Sequence, residues 1–246
     1  MSIICIDIGN STISIAKSNN GKICKMKKFS SIEEVDFWKY HNSCKKIAIS
    51  SVVPKLSEKY QKYCITKLNI EPFIISYKNA NISSNVKTIS ELGNDRICNV
   101  ISALEKKQFP SIIIDLGTAT TFDVINEAGI FIGGSISPGI SMLSQSLTKK
   151  TAQLPETILK FPKNIIGKNT KTSIQSGVMY GAIDSINGII NRISKELNSN
   201  NLKIIITGGY GKIISKMIDI EHIYNPMLTL QGVQSIYLKN NKGIVI

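Results

Sequence analysis

Histidine and arginine are almost missing from this chain: two of its 246 residues are His, and only two of its 30 basic residues are Arg, at positions 96 and 192. Neither His41 nor His222 stands in a recognisable catalytic context, so Ser–His and Cys–His nucleophile schemes have no support. Proteins that read nucleic acid lean on the bidentate guanidinium fork of Arg. The net charge of +13 therefore reads as scattered lysine that can attract anionic substrates, and nucleic acid is not expected as a partner. The longest apolar runs, residues 3–6 and 112–114, are far too short to cross a bilayer. The chain enters the first run at Ser2-Ile3-Ile4 with no basic leader or cleavage site, so the expectation is a cytoplasmic protein without signal peptide or membrane partner. The five cysteines (Cys5, Cys24, Cys44, Cys64, Cys98) are odd in number and widely spaced, with no C-x-x-C pair. That argues against a disulfide framework and a zinc site, and each is expected to fill an apolar or half-apolar slot. There is no G-x-x-x-x-G-K-[ST], and no G-x-G-x-x-G that follows a strand and opens a helix.

What the chain does have is an internal repeat. Ile4-Cys5-Ile6-Asp7-Ile8-Gly9-Asn10-Ser11-Thr12 can be laid without a gap over Ile112-Ile113-Ile114-Asp115-Leu116-Gly117-Thr118-Ala119-Thr120. Each copy reads as an apolar strand, an Asp-x-Gly turn, a second extended run, a Gly-containing turn and a third strand, at 22–28 or 130–136. Helical and extended segments then alternate. The patterns predict a helix over 31–41, a strand over 46–53 stopped by Pro54, a helix over 54–68, a strand over 72–76 and a polar loop over 78–90. A helix over 91–107 follows, read as a bridge between two halves divided near residue 110. The second half is expected to hold helices over 141–149 and 172–197, a strand over 202–207, a helix ending near 217, a helix over 227–238 and a strand over 244–246. Ile183, Ile186, Ile190, Ile193 and Leu197 form one stripe of the long helix, facing either a second copy or the protein's own core. Each half is mixed α/β around a sheet begun by hairpins.

A strand ending in Asp-x-Gly suits phosphate chemistry. Gly9 and Gly117 let the backbone approach a ligand and expose N–H donors, while Ser11, Thr12, Thr118, Thr120 and Thr121 add hydroxyls. Asp7 and Asp115 can hold a cation that screens phosphate charge. A third segment, Glu91-Leu92-Gly93-Asn94-Asp95-Arg96, places Asp95 at a helix start, where the dipole favours its ionised form. Such a carboxylate can accept a proton from an attacking hydroxyl, and Arg96 can bind an anionic group. The turns at Gly133-Gly134-Ser135-Ile136-Ser137-Pro138-Gly139 and Thr207-Gly208-Gly209-Tyr210-Gly211 each lead into a helix, a setting suited to anions or a nucleotide.

Taken in order, these segments resemble the superfamily of acetate and sugar kinases, chaperones and actin. Within it they are most similar to the type III pantothenate kinases, which start coenzyme A synthesis in many bacteria. The resemblance covers nearly the whole chain. It rests on Asp7-Ile8-Gly9-Asn10-Ser11, Ile49-Ser50-Ser51-Val52-Val53-Pro54, Gly93-Asn94-Asp95-Arg96, Asp115-Leu116-Gly117-Thr118-Ala119-Thr120-Thr121, Gly133-Gly134 with Pro138-Gly139, and Gly167-Lys168-Asn169-Thr170 followed by Gln175-Ser176-Gly177. It implies an α/β fold of two duplicated ribonuclease H-like (actin-like ATPase) domains, residues 1–110 and 111–246, with an ATP cleft between them. It implies transfer of phosphate from ATP to pantothenate, with Asp95 as proton acceptor. Gly93, Asn94, Asp95 and Arg96 would line the pantothenate site, joined by Thr170 from the partner subunit of a homodimer. Asp7, Ile8, Gly9, Asn10, Ser11, Thr12, Ile13, Ser14 and Thr118 would contact ATP. Asp7 would help place Mg2+, and Asp115 would bind a monovalent cation (K+ or NH4+). The chain departs from the pattern where the family often carries a substrate-site tyrosine: its stretch there is Val86-Lys87-Thr88-Ile89, so that contact is absent or supplied differently. Hydrolysis of phosphate compounds, and ATP sensing without catalysis, are the alternatives on the same fold.

Overall fold

The structure, a computed structural model, describes residues 2–31, 44–150, 154–199 and 201–241. Beyond its first position, the helix expected over 31–41 lies outside the described residues, as does the strand expected over 244–246.

The first sheet runs β3-β2-β1-β4-β5, from β1 (Ser2–Ile8), β2 (Ile13–Asn19), β3 (Lys22–Phe29), β4 (Ile47–Ser51) and β5 (Phe73–Ile74). The hairpin strands β1 and β2 are antiparallel, while β4 returns parallel to β1. The near-continuous apolar run of β1 follows from burial on both faces. Ile4, Ile6 and Ile8 pack with Tyr60, Cys64 and Leu68 of α1 (Pro54–Leu68). Ile3 and Cys5 point the other way, packing with Ile97, Cys98 and Ile101. Each fully buried Ile contributes about 1.5–3 kcal/mol. Strand parity thus sets Asp7 on the face of Ile3 and Cys5.

Helix α1 begins with Pro54, whose fixed φ suits a first turn, and ends where Asn69 takes φ 52. The loop expected over 78–90 contains a single turn of helix, α2 (Tyr77–Ala80), a bridge from Ser84 to Phe131, and a 3-10 turn at Ile89–Glu91. Helix α3 (Asn94–Glu105) carries Ile97, Val100 and Ile101 into the core.

The second sheet repeats the topology, running β10-β9-β6-β7-β8. Its members are β6 (Ser111–Leu116), β7 (Ala119–Ile125), β8 (Phe131–Pro138), β9 (Lys203–Thr207) and β10 (His222–Tyr224). Again the hairpin is antiparallel and β9 returns parallel to β6. Helices α4 (Ile140–Lys150), α5 (Thr170–Glu196) and the short α6 (Gly211–Ile214) accompany it. Ile183, Ile186 and Ile190 of α5 pack on Ile112, Ile114 and Leu116, with Ile193 against the same cluster. Those four residues of the stripe face the unit's own core.

Contacts divide the chain into two compact units. The first holds the described residues within Met1–Phe109, Glu127–Ile132 and Met227–Ile246, and the second those within Pro110–Asn126 and Gly133–Pro226. The last helix, α7 (Leu228–Asn240), therefore groups with the first unit rather than the second half. Its Leu230, Val233 and Ile236 share a core with Ile97, Cys98 and Ile101 of α3. Gly232 allows that approach, since a Cβ there would lie 1.9 Å from the Cys98 carbonyl oxygen. Helix α3, expected as a bridge, is thus packed within the first unit. No helix among the described residues is long and apolar enough to cross a membrane. Cys5, Cys44, Cys64 and Cys98 are buried, whereas Cys24 is exposed, against expectation, on β3. The strand runs from a turn on the sheet's edge, and that edge leaves Cys24 uncovered.

Candidate active site

In the first unit, β1 and β2 close around Gly9-Asn10-Ser11-Thr12. Ile8 faces Ile13, and the Gly9 N–H donates to the Thr12 carbonyl at 3.0 Å. Asn10, Ser11 and Thr12 are exposed at the tip. Ile8 and Ile13 are buried in the core, so only their backbone is available to a ligand. Ser14 is also buried and stands directly across from Asp7.

The second turn is shorter by a residue. Leu116 faces Thr120, leaving Gly117-Thr118-Ala119 between them, and Asp115 faces Thr121. The gapless overlay therefore fails just past the turn: Thr121, not Phe122, takes the place of Ser14. A buried strand position decides this, since Phe122 must stay on the core face with Ile112 and Ile114. The hydroxyl of Thr121 is buried without a hydrogen-bond partner, although a buried hydroxyl ordinarily finds one.

Glycines let backbone close around this second turn. At Gly208, φ is +90, and a Cβ would lie 2.5 Å from Asp115 Oδ1 and from the Leu116 nitrogen. The Tyr210 N–H donates to the Leu116 carbonyl at 3.1 Å, and the Gly139 N–H to the Thr118 carbonyl at 3.1 Å. A Cβ at Gly134 would sit 1.7 Å from the Phe122 carbonyl oxygen. The two glycine turns at 133–139 and 207–211 are thus one assembly around the strand end and hairpin from Asp115 to Phe122.

Asp95 sits half-buried in the first turn of α3, one residue after Asn94. Its Oδ1 accepts the Arg96 N–H at 2.7 Å, and Asn94 Nδ2 donates to the Ser51 carbonyl at 3.0 Å. The helix start and the Arg96 guanidinium favour the carboxylate, yet burial is the larger effect and raises the Asp95 pKa. Burial thus acts against the dipole that the sequence makes visible. A proton acceptor gains from such a rise, because its basicity moves towards working pH.

The end of β4 ties these groups together. Ser50 Oγ donates to Asp7 Oδ1 at 3.1 Å, and the Val52 N–H donates to the Ile8 carbonyl at 3.1 Å. Asp7, Asn94 and Asp95 are thereby brought together in one unit. Asp115 and Thr118 belong to the other unit. Thr170 is exposed at the first position of α5, after Asn169, whose side chain accepts the Thr172 N–H at 2.9 Å. Val86 donates its N–H to Ser84 Oγ, and no tyrosine takes its place in the 86–89 stretch. Sequence reasoning gave Ser50 no role; the register that pairs it with Asp7 is invisible in the chain alone.

Residues 3–192 match the sequence model of type III pantothenate kinase. The chain belongs to the type III pantothenate kinase family. A type III pantothenate kinase from Persephonella marina is 38% identical over 96% of this chain and 98% of its own. Among solved structures, the fold is similar to one described as a Baf family transcriptional activator from Campylobacter jejuni (TM-score 0.66, 22% identity, 99% of this chain and 100% of that one). It also resembles the activator of the 2-hydroxyisocaproyl-CoA dehydratase from Clostridium difficile with bound ADPNP (TM-score 0.57, 13% identity, 100% and 98%). Two mixed sheets of one topology are the duplicated ribonuclease H-like arrangement of actin-like ATPases.

Proposed function

We propose that this protein phosphorylates pantothenate from ATP to give 4′-phosphopantothenate, the first step of coenzyme A synthesis. Membership of the family supports the activity. The observation that carries the chemistry is Asp95, a carboxylate made more basic by burial and held at a helix start beside Arg96. The pantothenate hydroxyl gives its proton to Asp95 as its oxygen bonds to the γ-phosphorus of ATP. The bond from that phosphorus to the bridging oxygen breaks, and ADP leaves. Asn94 and Gly93 shape the hydroxyl's surroundings, and Arg96 binds an anionic group of substrate or transferring phosphoryl. A general base at this position is worth about 10²–10⁴-fold; the rest comes from positioning and electrostatics.

The first turn, from Asp7 to Ser14, is the phosphate site, with Thr118 as a further contact. Asp7 fits Mg2+: it is a half-exposed carboxylate flanked by the hydroxyl residues Ser14 and Ser50, the hard oxygen donors this ion takes. Mg2+ neutralises phosphate charge when bound. Asp115 fits a monovalent cation, K+ or NH4+, because the orphaned Thr121 hydroxyl stands across from it. The active assembly is a cytoplasmic homodimer in which the partner supplies its Thr170.

Incubation with ATP, Mg2+, K+ and pantothenate, followed by mass analysis, tests the reading. The expected product is 4′-phosphopantothenate with one ADP each; ADP and phosphate without it would identify a hydrolase instead.

A further inference from the structure

The segment Ile49-Ser50-Ser51-Val52-Val53-Pro54 stands out in the sequence, yet the reaction as described gives it no work. We infer that Ser50 is a positioning residue, one that fixes the Asp7 carboxylate for the magnesium nucleotide and joins it to the helix carrying Asp95. The inference rests on the assignment of Asp7 to that nucleotide.

Three observations converge on Ser50. Its hydroxyl donates to Asp7 Oδ1 at 3.1 Å. A carboxylate rotates freely about its last bond, and one oxygen held by a buried donor fixes the plane of the group. Ser50 is also fully buried, so water cannot replace it in that role. Behind it lies the buried Cys98, in the core cluster that also holds Ala48 of the same strand face, its thiol pushed up by burial and by the neighbouring Asp7 charge. Cys98 lies on α3, whose first turn carries Asp95. Ser50 therefore holds Asp7 directly, and the next residue of its strand, Ser51, holds Asn94 in the first turn that carries Asp95.

The same strand end fixes the rest of the assembly. Ser51 offers its carbonyl to Asn94, and Val52 lies 3.5 Å from where a Cβ on Gly93 would stand. The second unit repeats the placement: Thr207 on β9 is the parallel-strand neighbour of Asp115, as Ser50 on β4 is of Asp7, and Thr207 is likewise buried. A small hydroxyl residue beside each Asp-x-Gly aspartate is thus a feature of both copies. A packing role alone would be met equally well by alanine, as at Ala48 on the same strand face.

The test reads binding as well as turnover. Affinity for Mg2+ with the non-hydrolysable analogue AMP-PNP is measured by calorimetry for the full chain, for Ser50→Ala, for Asp7→Asn and for the double variant. Removing a side chain that orients a metal ligand typically weakens binding by about 10–100-fold, and that loss is expected for Ser50→Ala, with the affinity for pantothenate unchanged. In the Asp7→Asn background the same replacement should change nucleotide binding by less than about twofold, because the group it orients is gone. Unaltered binding by Ser50→Ala overturns the inference, as does an equal loss in both backgrounds. If the unaltered chain binds no Mg2+–AMP-PNP, the assignment of Asp7 fails together with the inference. If it binds and turns over pantothenate while Ser50→Ala matches it, only the inference fails.

Discussion

Gly93→Ala should separate folding from catalysis. Gly93 is the N-cap of α3 at φ −57, a conformation open to any residue, so its backbone does not require glycine. Its side-chain space does. An added Cβ would lie 2.6 Å from Asp95 Oδ1, against an ordinary carbon–oxygen approach of about 3.3 Å. The carboxylate must then move by roughly 0.7 Å, and its 2.7 Å bond from the Arg96 N–H lengthens or breaks. Loss of that bond and of a favourable N-cap costs about 1–2 kcal/mol together, a minor part of a typical stability of about 5–15 kcal/mol. The variant should therefore fold. A misplacement approaching 1 Å at a reacting group costs about 10²-fold in rate, and kcat at saturating ATP and pantothenate should fall by that order. Thermal unfolding followed by circular dichroism, with kcat on the same sample, makes the comparison. Turnover within about threefold of the unaltered chain would refute the reasoning that glycine is there to leave room for the carboxylate.

Asp95→Asn should fold and lose about 10²-fold or more in kcat. Because burial raises the Asp95 pKa, stability linked to this group is present below its unfolded pKa and lost as pH rises through the folded one. Asp95→Asn should accordingly melt higher than the unaltered chain at pH 7, with the gain gone in acid below the ordinary carboxylate range; a lower Tm at pH 7 would contradict this. For the same reason, kcat of the unaltered chain should fall in acid with a midpoint above the ordinary carboxylate value. Gly232→Ala should destabilise the first unit by about 2 kcal/mol net, since a Cβ 1.9 Å from the Cys98 carbonyl overpacks the α3–α7 contact by more than the helix gains from alanine; a Tm equal to the unaltered chain's would refute it. Rates in K+ or NH4+ should exceed those in sodium-only buffer, and Asp115→Asn should abolish the difference; equal rates in all three salts would count against a cation at Asp115.

The turns and helix start of the candidate site were legible because local chemistry wrote them. One Asp-x-Gly turn is an ordinary hairpin, but its repetition marked both hairpins, and Gly-Asn-Asp-Arg before a helical pattern put Asp95 in a first turn, as found. The chain could not show what depends on tertiary register. Past the turn at Gly117, side-chain size rather than motif sets the pairing, so the shorter second loop and the orphaned Thr121 hydroxyl escaped a letter-by-letter overlay. Ser50 acquires its role from a strand forty-odd positions away in sequence, beside Asp7. Helix α7 returns to the first unit because its apolar face and Gly232 match α3, a complementarity that no local pattern announces. The opposing pull of burial on Asp95 was hidden for a related reason: the dipole is local and readable, whereas burial is neither.

The most direct test of the account is ATP consumption by the unaltered chain and by Asp95→Asn, each with and without pantothenate, with products weighed by mass spectrometry. The account predicts ADP formation that depends on pantothenate, matches 4′-phosphopantothenate one for one, and drops by about 10²-fold or more in Asp95→Asn. ATP consumption indifferent to pantothenate, or undiminished in Asp95→Asn, would contradict it.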